Sequence, residues 1–314
     1  DTVLNITNST LTIGAGGIAV SSGSAGNHAI GSAVALGANQ TWTNESTTDI
    51  TLKGVVSGAS TITKQGNTDG RFVLGGTNTF SGTLTVANGR VLITSSNALG
   101  AISAGTTVNS GSGLQIQGGI ITTLEPLTLN GDGYWGDGAL DSVSGNNTWS
   151  GPITLGAKSR IRGQANTLTL HTITNGGYQV EFAGGGTISV TNIISGAGGV
   201  NKIDSGTLVL TNNNTYSGAL TISGGVVQVS SDSSFGTAPG AATANQIRLD
   251  NGELYHVNTA SFTLNANRGI GLGHLGGTIR VYSGRTLTYL GVIAGNGPLT
   301  KDGAFTEDER FQKI

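Results

Sequence analysis

Five residues between Glu125 and Asp141 carry the side chains best suited to chemistry: Asp132, Tyr134, Trp135, Asp137 and Asp141, set in Gly-rich sequence. Carboxylates beside stacking aromatics suit sugar binding, or weak Ca²⁺ coordination through oxygen ligands. The segment lacks the twelve-residue spacing of an EF-hand loop and the repeated Gly-Gly-x-Gly-x-Asp nonapeptide of calcium-binding β-rolls. A surface loop decorating one face of the fold is the competing account. Loops on one face are where repeat folds usually carry binding, so these five are the candidate binding residues.

Other chemistry finds less support. The absence of Cys removes disulfides, thiolate metal sites and a Cys nucleophile together. His28, His171, His256 and His274 lie far apart without metal-ligand spacing. No Gly-x-Ser-x-Gly elbow sits between a strand and a helix. The Gly-rich runs precede no helix that could hold a phosphate. Asn67-Thr-Asp-Gly70 resembles one piece of the polygalacturonase pattern, and Arg160-Ile-Arg162 and Gly273-His274 weakly resemble others. Their order is wrong, and the paired aspartates that inverting hydrolysis requires are missing. No catalytic residue and no cofactor are expected.

The elements that would position the candidate loop are short strands. The 314 residues include 54 Gly and 4 Pro, with 10% charged and 5% aromatic residues, against a charged share of roughly 25% in ordinary globular chains. Disordered chains are poor in β-branched residues, whereas Val, Ile and Thr recur throughout this one. The net charge of −2 provides no field for a polyanion, so nucleic acid is not an expected partner. No apolar run reaches the roughly 18 residues of a transmembrane helix. The start, Asp1-Thr2-Val3-Leu4, carries no basic or apolar leader, and with no Met the sequence reads as a processed or excised fragment.

Self-similarity organises the chain. Val56-Ser-Gly-Ala-Ser-Thr-Ile-Thr-Lys64, Asn78-Thr-Phe-Ser-Gly82, Leu84-Thr-Val86 and Val91-Leu-Ile93 recur as Ile194-Ser-Gly-Ala-Gly-Gly-Val-Asn-Lys202, Asn214-Thr-Tyr-Ser-Gly218, Leu220-Thr-Ile222 and Val227-Gln-Val229. A third copy opens at Ile293-Ala-Gly-Asn-Gly-Pro-Leu-Thr-Lys301. Within each unit apolar residues alternate with Thr or Ser, the period-two mark of a half-buried strand, and Asn or Gly supply the corners. Leu11–Ile13, Ile50–Leu52, Leu114–Ile116, Leu127–Leu129, Leu168–Leu170, Thr187–Val190, Gln246–Leu249, Phe262–Leu264, Thr278–Val281 and Leu287–Tyr289 read as further strands. Phe80 and Tyr216 hold equivalent repeat positions and are expected to pack at a corner. Coils of about 20 to 25 residues predict an all-β parallel solenoid of about 13 coils over 1–304, with repeat copies near 56–93, 194–229 and 293–301. The charged segment 305–314 reads as a cap or a truncation end.

At Gly198-Gly-Val-Asn-Lys202, Ser205-Gly-Thr-Leu-Val-Leu210, Asn214-Thr-Tyr-Ser-Gly218 and Ser223-Gly-Gly225 the chain resembles the autotransporter-associated β-strand repeat, also called the passenger-associated transport repeat, of Gram-negative surface proteins. The resemblance implies a right-handed parallel β-helix exported through the outer membrane and displayed outside the cell, with the repeat assisting translocation and folding. It implies no catalytic residues. The expected function is that of a non-enzymatic structural or adhesive passenger segment, a stiff stalk whose loops contact surfaces, glycans or neighbouring copies of the chain. The competing expectations are a self-assembling filament or sheath subunit and a polysaccharide-degrading β-helix enzyme.

Overall fold

The structure is a computed structural model describing residues 5–302 apart from 8, 67 and 259. The expected cap or end at 305–314 therefore lies outside the described residues, as does Asn67 of the hydrolase-like tetrapeptide. The chain divides into two compact units, Asp1–Thr169 and Leu170–Ile314. Each is a β-solenoid of parallel strands, and together the described residues make about 13 turns. The two helical elements are single 3₁₀ turns, Tyr134–Gly136 and Asp232–Phe235. No helix among the described residues is long and apolar enough to cross a membrane.

Period two in the sequence becomes a row of inward side chains in the stack. In the first unit Ile50, Phe72, Val91, Leu114, Leu140 and Ile161 lie in register on one face, and all are buried. Ile62, Leu84, Thr106, Leu127 and Ile153 form the row of a second face. Leu11, Val34 and Val56 begin a third. The strand Ile153–Gly163 is long enough to serve two faces: Ile153 pairs with Leu127 at one end and Ile161 with Leu140 near the other. In the second unit Val200, Leu220, Ile247, Ile270 and Ile293 make one row. Ile188, Leu208, Val227, Leu254 and Ile279 make another. Burying each such side chain contributes roughly 1.5–3 kcal/mol, so a narrow aliphatic interior suffices and few aromatics are needed.

The expected strands at Leu11–Ile13, Ile50–Leu52, Phe262–Leu264 and Leu287–Tyr289 form with those bounds. Strands Ile293–Gly295 and Leu299–Asp302 occupy the third repeat copy.

The repeat motif has a physical reason at each marked position. Asn78 Oδ1 accepts the Val56 N–H at 2.8 Å from the preceding coil, and its Nδ2 donates to the Ala98 carbonyl of the following coil at 2.5 Å. Asn214 does the same with the Ile194 N–H at 2.8 Å and the Ser234 carbonyl at 2.9 Å. One buried amide thus clamps three successive coils. Phe80 and Tyr216 pack at the corner as expected and are buried. Above them sit Gly100 and Gly236, with φ of 79° and 77°. A Cβ on either would stand 2.3 Å from the Phe80 carbonyl oxygen or 2.1 Å from that of Tyr216, so close stacking and positive φ both require glycine there.

The lysines of the first two repeat copies are internal. Lys64 Nζ donates to the carbonyls of Gln65, Gly66 and Asn88 at 2.6, 2.8 and 3.0 Å. Lys202 Nζ donates to those of Ile203 and Asp204. Burial lowers both ammonium pKa values to about 8. These ammonium groups serve as fixed cations for carbonyls that the corner leaves without strand partners.

Candidate functional site

The candidate loop interrupts the first unit between the strands Leu127–Gly131 and Leu140–Ser144. A parallel bridge between Gly133 and Gly138 closes its neck. The Gly138 N–H donates to the Asp132 carbonyl and the Asp137 N–H to that of Tyr134, both at 2.9 Å. Inside this neck is the 3₁₀ turn Tyr134–Gly136.

The loop is fastened from outside by one strand. Lys158, Arg160 and Arg162 alternate along Ile153–Gly163 and so share a face. Lys158 Nζ lies 3.8 Å from Asp132 Oδ2. Arg160 Nη1 donates to the Gly136 carbonyl at 2.6 Å, and Arg162 Nη1 pairs with Asp137 Oδ1. Beneath the loop the Arg90 guanidinium lies 4.7 Å from the centre of the Tyr134 ring and donates to the Asp69 carbonyl at 2.7 Å.

The five candidate residues separate into two groups. Tyr134 and Asp141 are buried, so neither can meet a ligand directly. Asp141 Oδ2 accepts from Gln115 Nε2 at 3.0 Å and Gln164 Nε2 at 2.7 Å. Arg71 extends this row by donating to Gln115 Oε1 at 3.1 Å, and it clasps Asp49 with Nε and Nη2. Burial raises the Asp141 pKa to about 6, with the two amides and then Arg162 opposing. Asp132 and Asp137 face outward with 43% and 40% of their side chains exposed.

Trp135 is 85% exposed, whereas Trp42 and Trp149 are buried. Its φ of 52° and ψ of 18° put it in the left-handed region, which costs a non-glycine residue about 1–2 kcal/mol. Its ring meets that of Tyr134 edge-on with centroids 6.0 Å apart. The strain brings Trp135 little burial and turns the indole away from the core.

Arg90 and Lys158 were not among the candidate residues. The alternation Lys158-Ser-Arg160-Ile-Arg162 is the one sequence signal that could have pointed to a basic outer row. Two of the hydrolase-like fragments make structural contacts: Asp69 engages Arg90, and Arg160 and Arg162 hold the loop. Among the described residues no three His, Asp or Glu side chains group to hold a metal ion. His256, fully buried in register with Val229 and Val281, stands edge-on to Phe262 with ring centroids 4.9 Å apart. Burial lowers its imidazole pKa.

Replacing Arg160 with Met removes one anchor and leaves the coils intact. The amides of Gly136, Asp137 and Gly138 are expected to exchange about tenfold faster, with global unfolding unchanged to within about 0.5 kcal/mol. Hydrogen exchange followed residue by residue checks both.

Fold and site together define a repeat scaffold: a parallel solenoid built on a duplicated corner motif, with a pinned loop raised from one of its units. Residues 62–93 and 200–229 match the family described as the passenger-associated-transport-repeat, so the chain carries two copies of that repeat. It is also similar to the Adhesin BmaC autotransporter of Brucella suis biovar 1 (strain 1330), at 38% identity over 123 residues covering 38% of this chain. The chain spans about 3% of the length of that curated relative. No solved structure matches it.

Proposed function

We propose that this chain is a non-enzymatic segment of an exported autotransporter passenger, displayed on the bacterial surface as a stiff adhesive spacer. The observation that carries this reading is the duplicated corner, in which Asn78 and Asn214 each join three coils by buried hydrogen bonds. Such a corner propagates one coil geometry into the next without a large core, which suits a long rigid display element. The relative's printed name, an adhesin, supports the adhesive half of the proposal. A non-enzymatic role is supported by the loop carboxylates, which are engaged by Lys158 and Arg162 rather than facing each other across a groove.

An in-frame deletion of this segment in the source bacterium, with antibodies raised against the folded chain, tests the proposal. Intact wild-type cells are expected to label, and the deletion strain to adhere several-fold less to host cells. Labelling only after lysis, or undiminished adherence, would overturn the proposal. Release of new reducing ends from polysaccharides by the purified chain would overturn its non-enzymatic part.

A further inference from the structure

We propose that Trp135 is the platform of a carbohydrate subsite that takes a neutral hexopyranose ring, with Asp137 as its hydroxyl acceptor. The inference rests on the adhesive reading and names the ligand class of the candidate loop.

Three features point to a sugar rather than another partner. The indole is presented singly on a fastened loop, which matches the footprint of one pyranose ring. A stable protein partner needs roughly 1,000 Å² of contact, and one raised indole offers a small fraction of that. The conformation of Trp135 carries strain that its packing does not repay, since the ring is 85% exposed at φ 52°. Strain of that kind, held in place by surrounding structure, marks a position organised for contact.

Charge supplies the third feature. Arg162 occupies Asp137 Oδ1 while 40% of the side chain stays exposed, which allows Oδ2 to accept a sugar hydroxyl. Asp132 is matched by Lys158, and Arg160 is committed to the Gly136 carbonyl. Each carboxylate flanking the indole is thus balanced by a cation, which favours a neutral sugar over a sialylated one or a cationic ligand. The C–H face of a pyranose stacks on the electron-rich face of indole, and hydroxyl hydrogen bonds at the edge fix its orientation.

Trp135 reports its own ligation. The chain has 3 Trp, and with Trp42 and Trp149 buried, a change in emission or in acrylamide quenching on ligand addition belongs to Trp135. The whole chain is titrated with lactose, cellobiose and maltotriose, with sialyllactose as the acidic comparison, and the same sugars are presented on an array to the chain and to Trp135→Ala, Trp135→Phe and Asp137→Asn. Saturable protection by at least one neutral sugar is expected. Array binding is expected to fall about tenfold or more in Trp135→Ala, to survive in part in Trp135→Phe and to weaken several-fold in Asp137→Asn, with unchanged circular dichroism in all three.

No saturable response to any of the sugars, equal binding by Trp135→Ala, or response to the sialylated sugar alone would overturn the proposal. A host-cell adhesion assay on the same proteins separates it from the broader reading. If the chain and Trp135→Ala adhere equally, the sugar subsite fails while the adhesive function stands. If neither adheres, the adhesive function itself fails.

Discussion

Replacing Asn214 with Leu is expected to lower stability by about 4 kcal/mol, measured by urea unfolding followed by far-ultraviolet circular dichroism. Leu has the same branching and the same number of side-chain heavy atoms as Asn and keeps the corner filled, so the loss comes chiefly from the hydrogen bonds. It comes mainly from the two groups that the amide serves in the neighbouring coils, beside a longer bond to the Asn212 carbonyl at 3.2 Å. The Ile194 N–H and the Ser234 carbonyl, bonded at 2.8 and 2.9 Å, lie at a buried corner where the strand ladder provides no substitute. Each buried polar group left without a partner costs about 1–3 kcal/mol.

The adjacent residue is the control. Asn213 is exposed, its Oδ1 accepting only the Ser233 hydroxyl, and Asn213→Leu is expected to stay within about 0.5 kcal/mol of the wild type. Asn78→Leu removes the same pair of bonds, to Val56 and Ala98, from the other repeat copy. The two losses are expected to add, because the residues share no partner. A change below about 1 kcal/mol for Asn214→Leu would show that water reaches the corner and that the motif's Asn is not its clamp.

That motif explains why so much of the fold could be read in advance. In a stacked coil the determinants of strand and corner are local: Leu127-Thr-Leu129 alternates because its outer neighbours differ from its inner ones, and Asn214-Thr-Tyr-Ser-Gly218 bends where its own amide can bond above and below. Copies of such a unit announce themselves. The candidate loop was legible only as a concentration of suitable residues, because what holds it is non-local. Arg90 reaches Tyr134 from 44 positions upstream in the chain, as Arg71 reaches Gln115, a separation meaningful only once coil register is known.

Asp141 shows the same limit. It follows Leu140 on a strand and by alternation points outward, yet it is buried, as are Val73 and Leu92 at equivalent outward positions. Period two assigns a side of the sheet, and whether that side is wet depends on whether something covers it. The loop's Tyr134 and the Gln115–Asp141–Gln164 row belong to that cover, which no local pattern encodes.

Glu125 provides the second large effect, one that depends on pH. It lies in the corner before the strand Leu127–Gly131, and the next coil sits close upon its backbone: a Cβ on Gly151 would stand 1.9 Å from the Glu125 carbonyl oxygen. The side chain is buried, with Oε1 accepting the Thr106 hydroxyl at 2.8 Å and Oε2 lacking a partner. Burial raises its pKa from 4.5 to about 7, and the Thr106 hydrogen bond only partly opposes this. The folded chain therefore holds a proton that the unfolded chain has released across this interval. The group's contribution to stability is complete below about pH 4.5 and is lost as pH rises through about 7. Glu125→Gln cannot titrate. Relative to wild type it is expected to gain about 3 kcal/mol between pH 4.5 and pH 8, read as the difference between urea unfolding curves collected at both ends and at pH 6. Taking the difference removes groups common to both proteins, including Asp141, whose pKa is raised to about 6, and His256, whose pKa is lowered. Any fixed offset from exchanging a carboxylic acid for an amide shifts the whole difference curve and leaves its slope. Parallel pH profiles for the two proteins would mean that Glu125 reaches solvent when ionised and that the corner opens without unfolding the coil.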